Sequence, residues 1–303
     1  MQTSKVLKTF EVFHNGVVYN RRMAKKRLDV VMVEMGLAET RSLAQRLVMA
    51  GKVRINGQVA MKASQNVPDG AEVTLDSGPQ FVSRGGHKLA AAMDAFPVNV
   101  QGLACADVGA STGGFTDCLL QNGAAKVYAI DVGHGILAWS LRNDERVVVM
   151  EKTNARHVEV LDEPVSLVVM DASFISLKIL LPVIKNWFSP PPLRGIPPAR
   201  GGEQGGAGQV IALIKPQFEA GRKEVSKGKG VIRDPEIHRR VVREILGFAQ
   251  TEGYGVKGLE RSPVLGPKGN VEFLVWLGLG IPPVGNEQID VMCEAVIPVE
   301  EGS

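Results

Sequence analysis

The sequence has few cysteines and shows no pattern that would suit a disulfide framework or a metal site. Its 303 residues include three cysteines, none of them in a CxxC pair. An odd and unpatterned count argues for a reducing compartment and against disulfides or a zinc site. The five histidines also lack the spacing of metal ligands, so we expect no metal.

Long apolar runs are missing as well. No run reaches the length of a transmembrane helix, and the N-terminus lacks the apolar core of a signal peptide. With 45% apolar residues, the chain can still build a sizeable core. We therefore expect a soluble cytoplasmic protein of one large or two modest domains, with no membrane partner. The sequence carries no signal for an oligomeric state.

Positive charge is concentrated near the N-terminus. Residues 1–80 hold 12 Lys and Arg against 7 Asp and Glu, whereas residues 81–303 hold 23 against 25. A basic segment attached to a near-neutral body indicates a polyanionic partner. A solvated surface would explain the same excess equally well.

The patterning divides the chain into a small module, a larger domain and less patterned segments. An extension at 1–22, with Met23 as an alternative start, precedes a small domain at 23–80. A bridge with a first helix at 81–100 leads to a larger domain at 101–277. The larger domain carries a flexible Pro- and Gly-rich insertion at 189–208 and is followed by an unpatterned tail at 278–303.

The pattern of the small domain predicts two helices followed by short strands. Apolar residues recur at helical spacing from Leu28, Thr40 can cap a second helix, and Asn56-Gly57 predicts a hairpin. Basic side chains of this module are candidates for contacting the phosphates of a polyanionic partner: Arg27, Arg41, Arg46, Lys52 and Arg54.

Strand-like and helix-like runs alternate in the larger domain. The strand-like runs are 104–108, 126–131, 147–150, 166–171, 209–215, 256–260 and 271–277. The helix-like runs are 115–121, 135–141, 177–187 and 235–251. This alternation predicts an α/β fold of Rossmann-like architecture, with a mostly parallel sheet covered by helices on both faces.

A glycine-rich turn after the first of these strands is the candidate cofactor site. The run Asp107-Val-Gly-Ala-Ser-Thr-Gly-Gly-Phe-Thr116 lacks the Lys of a phosphate-binding loop and the spacing of a dinucleotide fingerprint. An S-adenosylmethionine site needs an acidic residue and glycines at the first strand–helix turn, and a second acidic residue after the next strand. Asp131 supplies that second residue. A tight turn without a ligand would also explain the glycines taken alone.

The cofactor-binding candidates follow from this turn and the next strand ends. Asp107 would contact the amino-acid part of the cofactor or order the turn, Asp131 would hold the ribose, and Asn154 would approach the adenine. An Asn in a surface loop is common, so Asn154 also has a plainer explanation. The full set is Asp107, Gly109, Ser111, Thr112, Gly113, Gly114, Phe115, Asp131, Asn154 and Asp171.

Charged residues at strand ends suggest a catalytic group. Asp171 and Lys215 each follow an apolar strand, and such ends meet at one edge of a parallel sheet. A lysine there can accept a hydroxyl proton or stabilise the resulting alkoxide. Lys88, in the Gly-rich bridge, and Glu272, at the start of an apolar strand, could join them. A structural ion pair is the alternative.

Six ordered blocks resemble the TlyA family, ribosomal RNA methyltransferases related to the FtsJ group and often labelled hemolysins. The match covers about residues 24–277. The blocks are Ser83-Arg-Gly-Gly-His-Lys88, Asp107-Val-Gly-Ala-Ser-Thr-Gly-Gly-Phe-Thr-Asp117, Asp171-Ala-Ser-Phe-Ile-Ser176, Ile214-Lys-Pro-Gln-Phe-Glu219, Gly230-Val-Ile-Arg-Asp-Pro235 and Asn270-Val-Glu-Phe273.

The resemblance implies S-adenosylmethionine as methyl donor and a ribose 2′-hydroxyl of ribosomal RNA, in a cytidine, as acceptor. It implies a catalytic tetrad at Lys88, Asp171, Lys215 and Glu272. It also implies that the N-terminal module is a ribosomal-protein-type (alpha-L) RNA-binding domain and that ribosomal subunits are partners.

Three other functions compete with this interpretation. A non-catalytic rRNA-binding or ribosome-assembly factor would not need the charged set. A membrane-active hemolysin would need amphipathic or spanning segments, whereas the apolar runs are short and spaced as buried strands. Pseudouridine synthesis needs no methyl donor, so the pattern of Asp107 and Asp131 disfavours it.

Overall fold

The computed structural model divides into two compact units, with the boundary between Gln80 and Phe81. It describes residues 26–76, 78–188 and 208–297. Three predicted segments lie wholly or partly outside the described residues: the extension at 1–22, the insertion at 189–208 and the end of the tail at 278–303.

The first unit packs two helices with short antiparallel strands. Its elements are β1 (Lys26–Arg27), α1 (Leu28–Glu34), α2 (Arg41–Met49), β2 (Val53–Ile55), β3 (Gln58–Val59), β4 (Asn66–Val67) and β5 (Val73–Leu75). Helix α2 begins where Thr40 Oγ1 accepts the N–H of Leu43 at 3.2 Å. Asn56 and Gly57 turn the β2–β3 hairpin with positive φ. The predicted helices and hairpin are therefore confirmed.

The second unit is a seven-stranded sheet with helices on both faces. Its elements are α3 (Gly85–Ala95), β6 (Ala104–Val108), α4 (Gly114–Gln121), β7 (Lys126–Ile130), α5 (Trp139–Arg142), β8 (Val147–Met150), β9 (Leu167–Met170), α6 (Leu177–Ile184), β10 (Gln209–Ile214), α7 (Pro216–Glu219), α8 (Arg222–Lys227), α9 (Pro235–Thr251), β11 (Tyr254–Arg261), β12 (Phe273–Leu279) and α10 (Asn286–Val296).

The strand order is β11-β12-β10-β9-β6-β7-β8. Strands β6 to β10 run parallel to one another, and β12 runs antiparallel to both of its neighbours. After β8 the chain crosses back, so that β9 lies on the other side of β6. Such a reversal opens a crevice at the carboxyl ends of the strands, where α/β proteins bind ligands.

Alternate residues of the central strands enter two separate cores. In β9, Leu167 and Val169 pack with α3 and α4, whereas Val168 and Met170 pack with α6 and α9. Both faces of the sheet are therefore covered, which confirms the predicted Rossmann-like α/β class. No described helix is both long and apolar enough to cross a membrane.

Three sequence expectations need correction. The helix predicted at 135–141 is only α5, because Gly135 has φ +69° and Ala138 has ψ 139°, neither of which is helical backbone. The bridge predicted at 81–100 belongs to the second unit, in whose core Phe81 is buried.

The tail predicted to be unpatterned was the third error, since it contains the end of β12 and the whole of α10. Ile289, Cys293 and Val296 are buried on one face of α10 in the core shared with α6 and α9. Their spacing is helical, so the signal was present in the sequence. Helices α7 and α8 were not predicted; α7 begins at Pro216, which suits a first helical position.

Candidate active site

The sheet brings four charged residues to one edge. Asp131, Asp171 and Lys215 directly follow β7, β9 and β10, which are parallel strands. Glu272 directly precedes β12, and because β12 runs antiparallel to β10, its first residue meets the same edge. Helix α3 adds Lys88 to this group.

The four residues of the predicted tetrad form one chain of ion pairs. Lys88 Nζ lies 2.7 Å from Glu272 Oε2 and 3.4 Å from Asp171 Oδ2. Lys215 Nζ lies 2.6 Å from Asp171 Oδ1. Lys88, Lys215 and Glu272 are buried, and Asp171 is partly exposed. Two cations and two carboxylates thus balance in a site that excludes most water, where an unpaired charge would be costly.

Lys215 is held by more than its carboxylate partner. Its Nζ also donates to the Asp171 carbonyl oxygen and to Ser173 Oγ, each at 3.1 Å. Two hydrogen bonds and one ion pair therefore hold Nζ, while Asp171 Oδ1 accepts no hydrogen bond from the described residues. The apolar strand β10 fixes the other end of the side chain, so that the amine is positioned by covalent and polar contacts together.

Two cavities meet beside these charges and share a wall made by Gly109, Ser111, Asp171 and Ser173. The first, of about 260 Å³, is lined also by Val132, Asp131, Thr153, Asn154 and Phe174. The second, of about 280 Å³, is lined also by Arg84, Lys88, Thr112, Gly114, Phe115 and Lys215. We call them the cofactor cavity and the reaction cavity.

The predicted ribose and adenine residues both face the cofactor cavity. Asp131 Oδ2 accepts the N–H of Ser111 at 2.8 Å, and its Oδ1 accepts the N–H of Gly133 at 2.7 Å. The carboxylate is thus fixed in orientation, and each oxygen keeps a lone pair for a hydroxyl group. Asn154 lines the same cavity, where its side-chain oxygen accepts the N–H of Arg156 at 3.2 Å.

The glycine turn is shaped by close backbone contacts. Gly109 has φ +83°, and a Cβ there would lie 3.0 Å from the Cα of Ala172. A Cβ on Gly114 would lie 2.4 Å from Ser83 Oγ and 2.7 Å from the backbone nitrogen of Gly86. A side chain at either position would push the turn away from neighbouring backbone, so both positions need glycine.

Asp107 orders the turn, which is one of the two roles predicted for it. Its buried Oδ2 accepts the backbone N–H of Thr116 at 2.9 Å and the Thr116 hydroxyl at 2.7 Å, at the start of α4. Its Oδ1 is buried and has no hydrogen-bond partner among the described residues. Burial is the main cause that raises the pKa of Asp107 to about 7. Asp107 and Gly113 line neither of the two cavities.

Sequence reasoning missed two residues of this site. Phe174 has a 90% exposed ring on the wall of the cofactor cavity, with φ +64° and its centroid 4.8 Å from that of Phe218. Gln217 is buried and donates from Nε2 to Glu272 Oε1 at 3.3 Å. A bulky apolar side chain three residues after Asp171 was the available signal for Phe174.

In the first unit, two of the predicted RNA-binding residues have a structural partner. Arg27 and Arg41 lie 3.0 Å and 2.9 Å from Asp29 Oδ2, and Gln45 donates to the same oxygen at 3.0 Å. The carboxyl group is buried, and its hydrogen bond from Arg27 is the main cause that holds the pKa of Asp29 well below its usual range. Arg41 and Gln45 therefore fasten α2 to α1, Arg27 binds at the start of α1 itself, and both arginine side chains remain partly exposed.

The other three candidates differ in their pairing. Arg54 lies 3.1 Å from Asp76 Oδ2 on the neighbouring strand segment. Arg46 and Lys52 are exposed, and neither forms a salt bridge within the described part of the chain. Their charges are consequently the ones most available to an external anion.

Comparison with known proteins agrees with this architecture. The FtsJ-like methyltransferase model matches residues 81–279, and the S4 domain model matches residues 26–73. The 16S/23S rRNA (cytidine-2′-O)-methyltransferase TlyA of Mycobacterium tuberculosis is 45% identical over 260 residues, which cover 84% of this chain and 91% of that protein.

Two further relatives carry hemolysin names. Hemolysin A of Brachyspira hyodysenteriae is 39% identical over 251 residues, covering 82% of this chain and 98% of that one. A solved structure from Streptococcus thermophilus, provisionally described as a hemolysin, is 40% identical with a TM-score of 0.63 and covers 89% of this chain and 95% of its own.

The fold, the charged edge and the matched models define an FtsJ-like methyltransferase joined to an S4 domain. Identity of 45% to TlyA across nearly the whole chain narrows the class further. The chain belongs to the TlyA family.

Proposed function

We propose that this protein transfers the methyl group of S-adenosylmethionine to the 2′-hydroxyl of a cytidine in ribosomal RNA. The observation that carries the proposal is the position of Lys215 Nζ, which lies on the wall of the reaction cavity and 2.6 Å from Asp171 Oδ1. The relative named for this activity in M. tuberculosis is consistent with it.

The cofactor cavity suits S-adenosylmethionine. Asp131 offers two fixed oxygens for ribose hydroxyls, and Asn154 lies on the same cavity for the adenine. Glycine at 109 keeps the cavity wall open where a side chain would close on Ala172. When bound, the cofactor supplies a methyl group on a sulfonium, which is already activated for in-line displacement.

The protein must then align a ribose and assist loss of its proton. Lys215 Nζ would contact the acceptor hydroxyl: a neutral amine takes its proton, whereas an ammonium stabilises the alkoxide once that proton has passed to solvent. Both courses leave an ammonium beside the oxygen when the methyl group is transferred. Asp171 and Ser173 surround that ammonium with oxygens and so hold it in place.

Lys88 and Glu272 keep this arrangement neutral and rigid. Glu272 is buried and holds Lys88 at 2.7 Å, and Lys88 in turn faces Asp171 at 3.4 Å. Gln217 donates to the second Glu272 oxygen. Lys88 also lines the reaction cavity, where it would orient the ribose.

RNA recognition is divided between the units in this proposal. Arg46 and Lys52 of the S4 domain would bind phosphates without reading bases, which makes affinity depend on salt. Phe174 would stack on an unpaired base near the ribose that reacts, because exposed rings beside single-stranded RNA sites do so. Ribosomal subunits in the cytoplasm are the source of such RNA.

Mass mapping of methylated nucleotides tests the proposal. Ribosomal RNA and isolated subunits are incubated with the purified protein and isotope-labelled S-adenosylmethionine, then digested to nucleosides. The expected product is labelled 2′-O-methylcytidine at defined positions. Label on a base, or rRNA binding without any methylation, would contradict it; the latter would favour the non-catalytic assembly factor.

A further inference from the structure

The mouth of the reaction cavity carries positive charges that the proposed chemistry does not use. Building on the proposed function, we infer that Arg84, Lys229 and Lys268 bind the RNA phosphates on the two sides of the ribose that reacts. We call these three residues the cationic rim. They would hold the backbone of a single RNA strand while its 2′-hydroxyl reaches Lys215.

The rim residues come from separate segments, of which two line the reaction cavity and the third lies beside one of them. Arg84 lines the reaction cavity directly, at the start of α3, and Pro267 lines it from the β11–β12 loop. Lys268 follows Pro267, and its Nζ lies 3.7 Å from the position that a Cβ of Gly230 would occupy. Lys229 precedes Gly230, so the two lysine segments are neighbours.

All three rim side chains are exposed, and none forms a salt bridge or a side-chain hydrogen bond within the described residues. Several cations elsewhere on this unit are paired with acids: Lys126, Arg142, Arg146, Lys178, Lys185, Arg240 and Arg243. Unpaired positive charges on neighbouring segments repel one another, and a bound anion relieves that repulsion.

The backbone at both lysines is unfavourable for a side chain. Lys229 has φ +52° and Lys268 has φ +57°, a region in which an L-residue costs about 1–2 kcal/mol relative to right-handed backbone. Glycine would occupy both positions without that cost. Strain of this kind clusters at functional sites; of the four other non-glycine residues with positive φ in the described part of the chain, Ser111 and Phe174 line the cofactor cavity, whereas Asn56 and Lys152 line neither cavity.

One buried amide holds the two lysine segments together. Asn270 is 2% exposed, and its Nδ2 donates to the carbonyl oxygens of Gly230 and Pro267, each at 3.0 Å. Its Oδ1 accepts the N–H of Ile232 at 3.0 Å. The lysines therefore project from a fixed framework, which reduces the entropy that binding would cost.

The chemistry of the substrate explains why the rim has two parts. A nucleotide within a chain carries a phosphate on each side of its ribose, whereas a free nucleoside carries none. Arg84 stands on one segment of the cavity border and the two lysines on another. Each part therefore suits one phosphate, and such contacts position the strand without reading its sequence.

The test is a salt series of binding measurements with a short single-stranded rRNA fragment, read by fluorescence anisotropy. Replacing Lys229→Gln and Lys268→Gln together should raise Kd roughly tenfold and reduce the slope of log K against log salt by about 1.4, or about 0.7 for each lost phosphate contact. Affinity for S-adenosylhomocysteine should not change.

Three further variants complete the design. Arg243→Gln removes an exposed cation that Asp290 already neutralises at 2.7 Å, and it should leave the slope unchanged. Lys→Arg at both rim lysines should keep the wild-type slope. Lys229→Gly with Lys268→Gly removes the charges without backbone strain, so it replaces the glutamine pair if that pair folds poorly.

The outcomes separate this inference from the function on which it rests. If both double variants that remove the lysine charges keep the wild-type affinity and the wild-type slope of log K against log salt, the cationic rim does not bind phosphates, whether or not the enzyme methylates RNA. Weaker and less salt-dependent RNA binding by the double variants supports phosphate binding by the cationic rim. If the wild-type protein binds the RNA in this way but does not methylate it, only the proposed function is overturned.

Discussion

Removing Lys88 should destabilise the second unit strongly, because it leaves Glu272 buried without its cation. The two groups lie 2.7 Å apart, with Glu272 fully buried and the Lys88 side chain 7% exposed. Breaking one partner of a buried pair costs about 3–5 kcal/mol. We therefore expect Lys88→Met to lower the free energy of unfolding by that amount, and Lys88→Met with Glu272→Leu to recover much of it, since the double variant buries no unpaired charge.

Urea unfolding followed by tryptophan fluorescence measures this effect selectively. All three tryptophans, Trp139, Trp187 and Trp276, lie in the second unit. Lys126→Met is the matched control, because its pair with Glu163, at 2.6 Å, is exposed to 40% and 44% and should be worth less than about 1 kcal/mol. A loss from Lys88→Met no larger than that of the control would refute the reasoning.

Three other variants probe separate parts of the account. The pKa of Asp107 is raised from 3.8 to about 7, so the wild-type protein loses stability as pH rises from 5 to 8. Asp107→Asn cannot ionise, and its free energy of unfolding should therefore rise by about 3 kcal/mol relative to that of the wild type over this pH range. Parallel pH profiles of the two proteins in urea unfolding would contradict this. Phe174→Ala should weaken rRNA binding by about 1–3 kcal/mol, while Phe174→Tyr keeps it; equal affinities in a binding titration would exclude stacking. Arg46→Ala with Lys52→Ala should weaken rRNA binding without loss of stability. Arg41→Ala should weaken binding and also lower the thermal midpoint of unfolding, because the buried Asp29 loses a partner. An unchanged midpoint would contradict a structural role for Arg41.

The chemistry of the site was predictable because it follows the ends of strands. An apolar run fixed the position of Lys215 and of Asp171, and parallel strands bring such ends together. Glu272 was predictable for a different reason, because a carboxylate at the start of an apolar strand needs a partner. The structure supplies that partner in Lys88, more than 180 residues away, at 2.7 Å.

Other features depend on contacts that no local pattern carries. Arg41 looked like a free surface cation, yet the buried Asp29 binds it, and nothing in the helical spacing of α1 marks that aspartate as buried. The segment before α5 is not helical because Gly135 and Ala138 have non-helical backbone, and Glu151 accepts the N–H groups of Gly135 and Ile136 there. Phe174 combines an exposed ring with a positive φ, and sequence spacing encodes neither.

Single-turnover methyl transfer by Lys215→Met tests the central claim most directly. Asp171, Lys88 and Glu272 stay in place in this variant, and the cofactor cavity does not depend on Lys215. We predict that S-adenosylmethionine affinity is retained while the rate of 2′-O-methylation of ribosomal RNA falls by at least about 100-fold, the lower end of a general acid–base contribution. A variant that binds the cofactor and methylates at the wild-type rate would contradict the account.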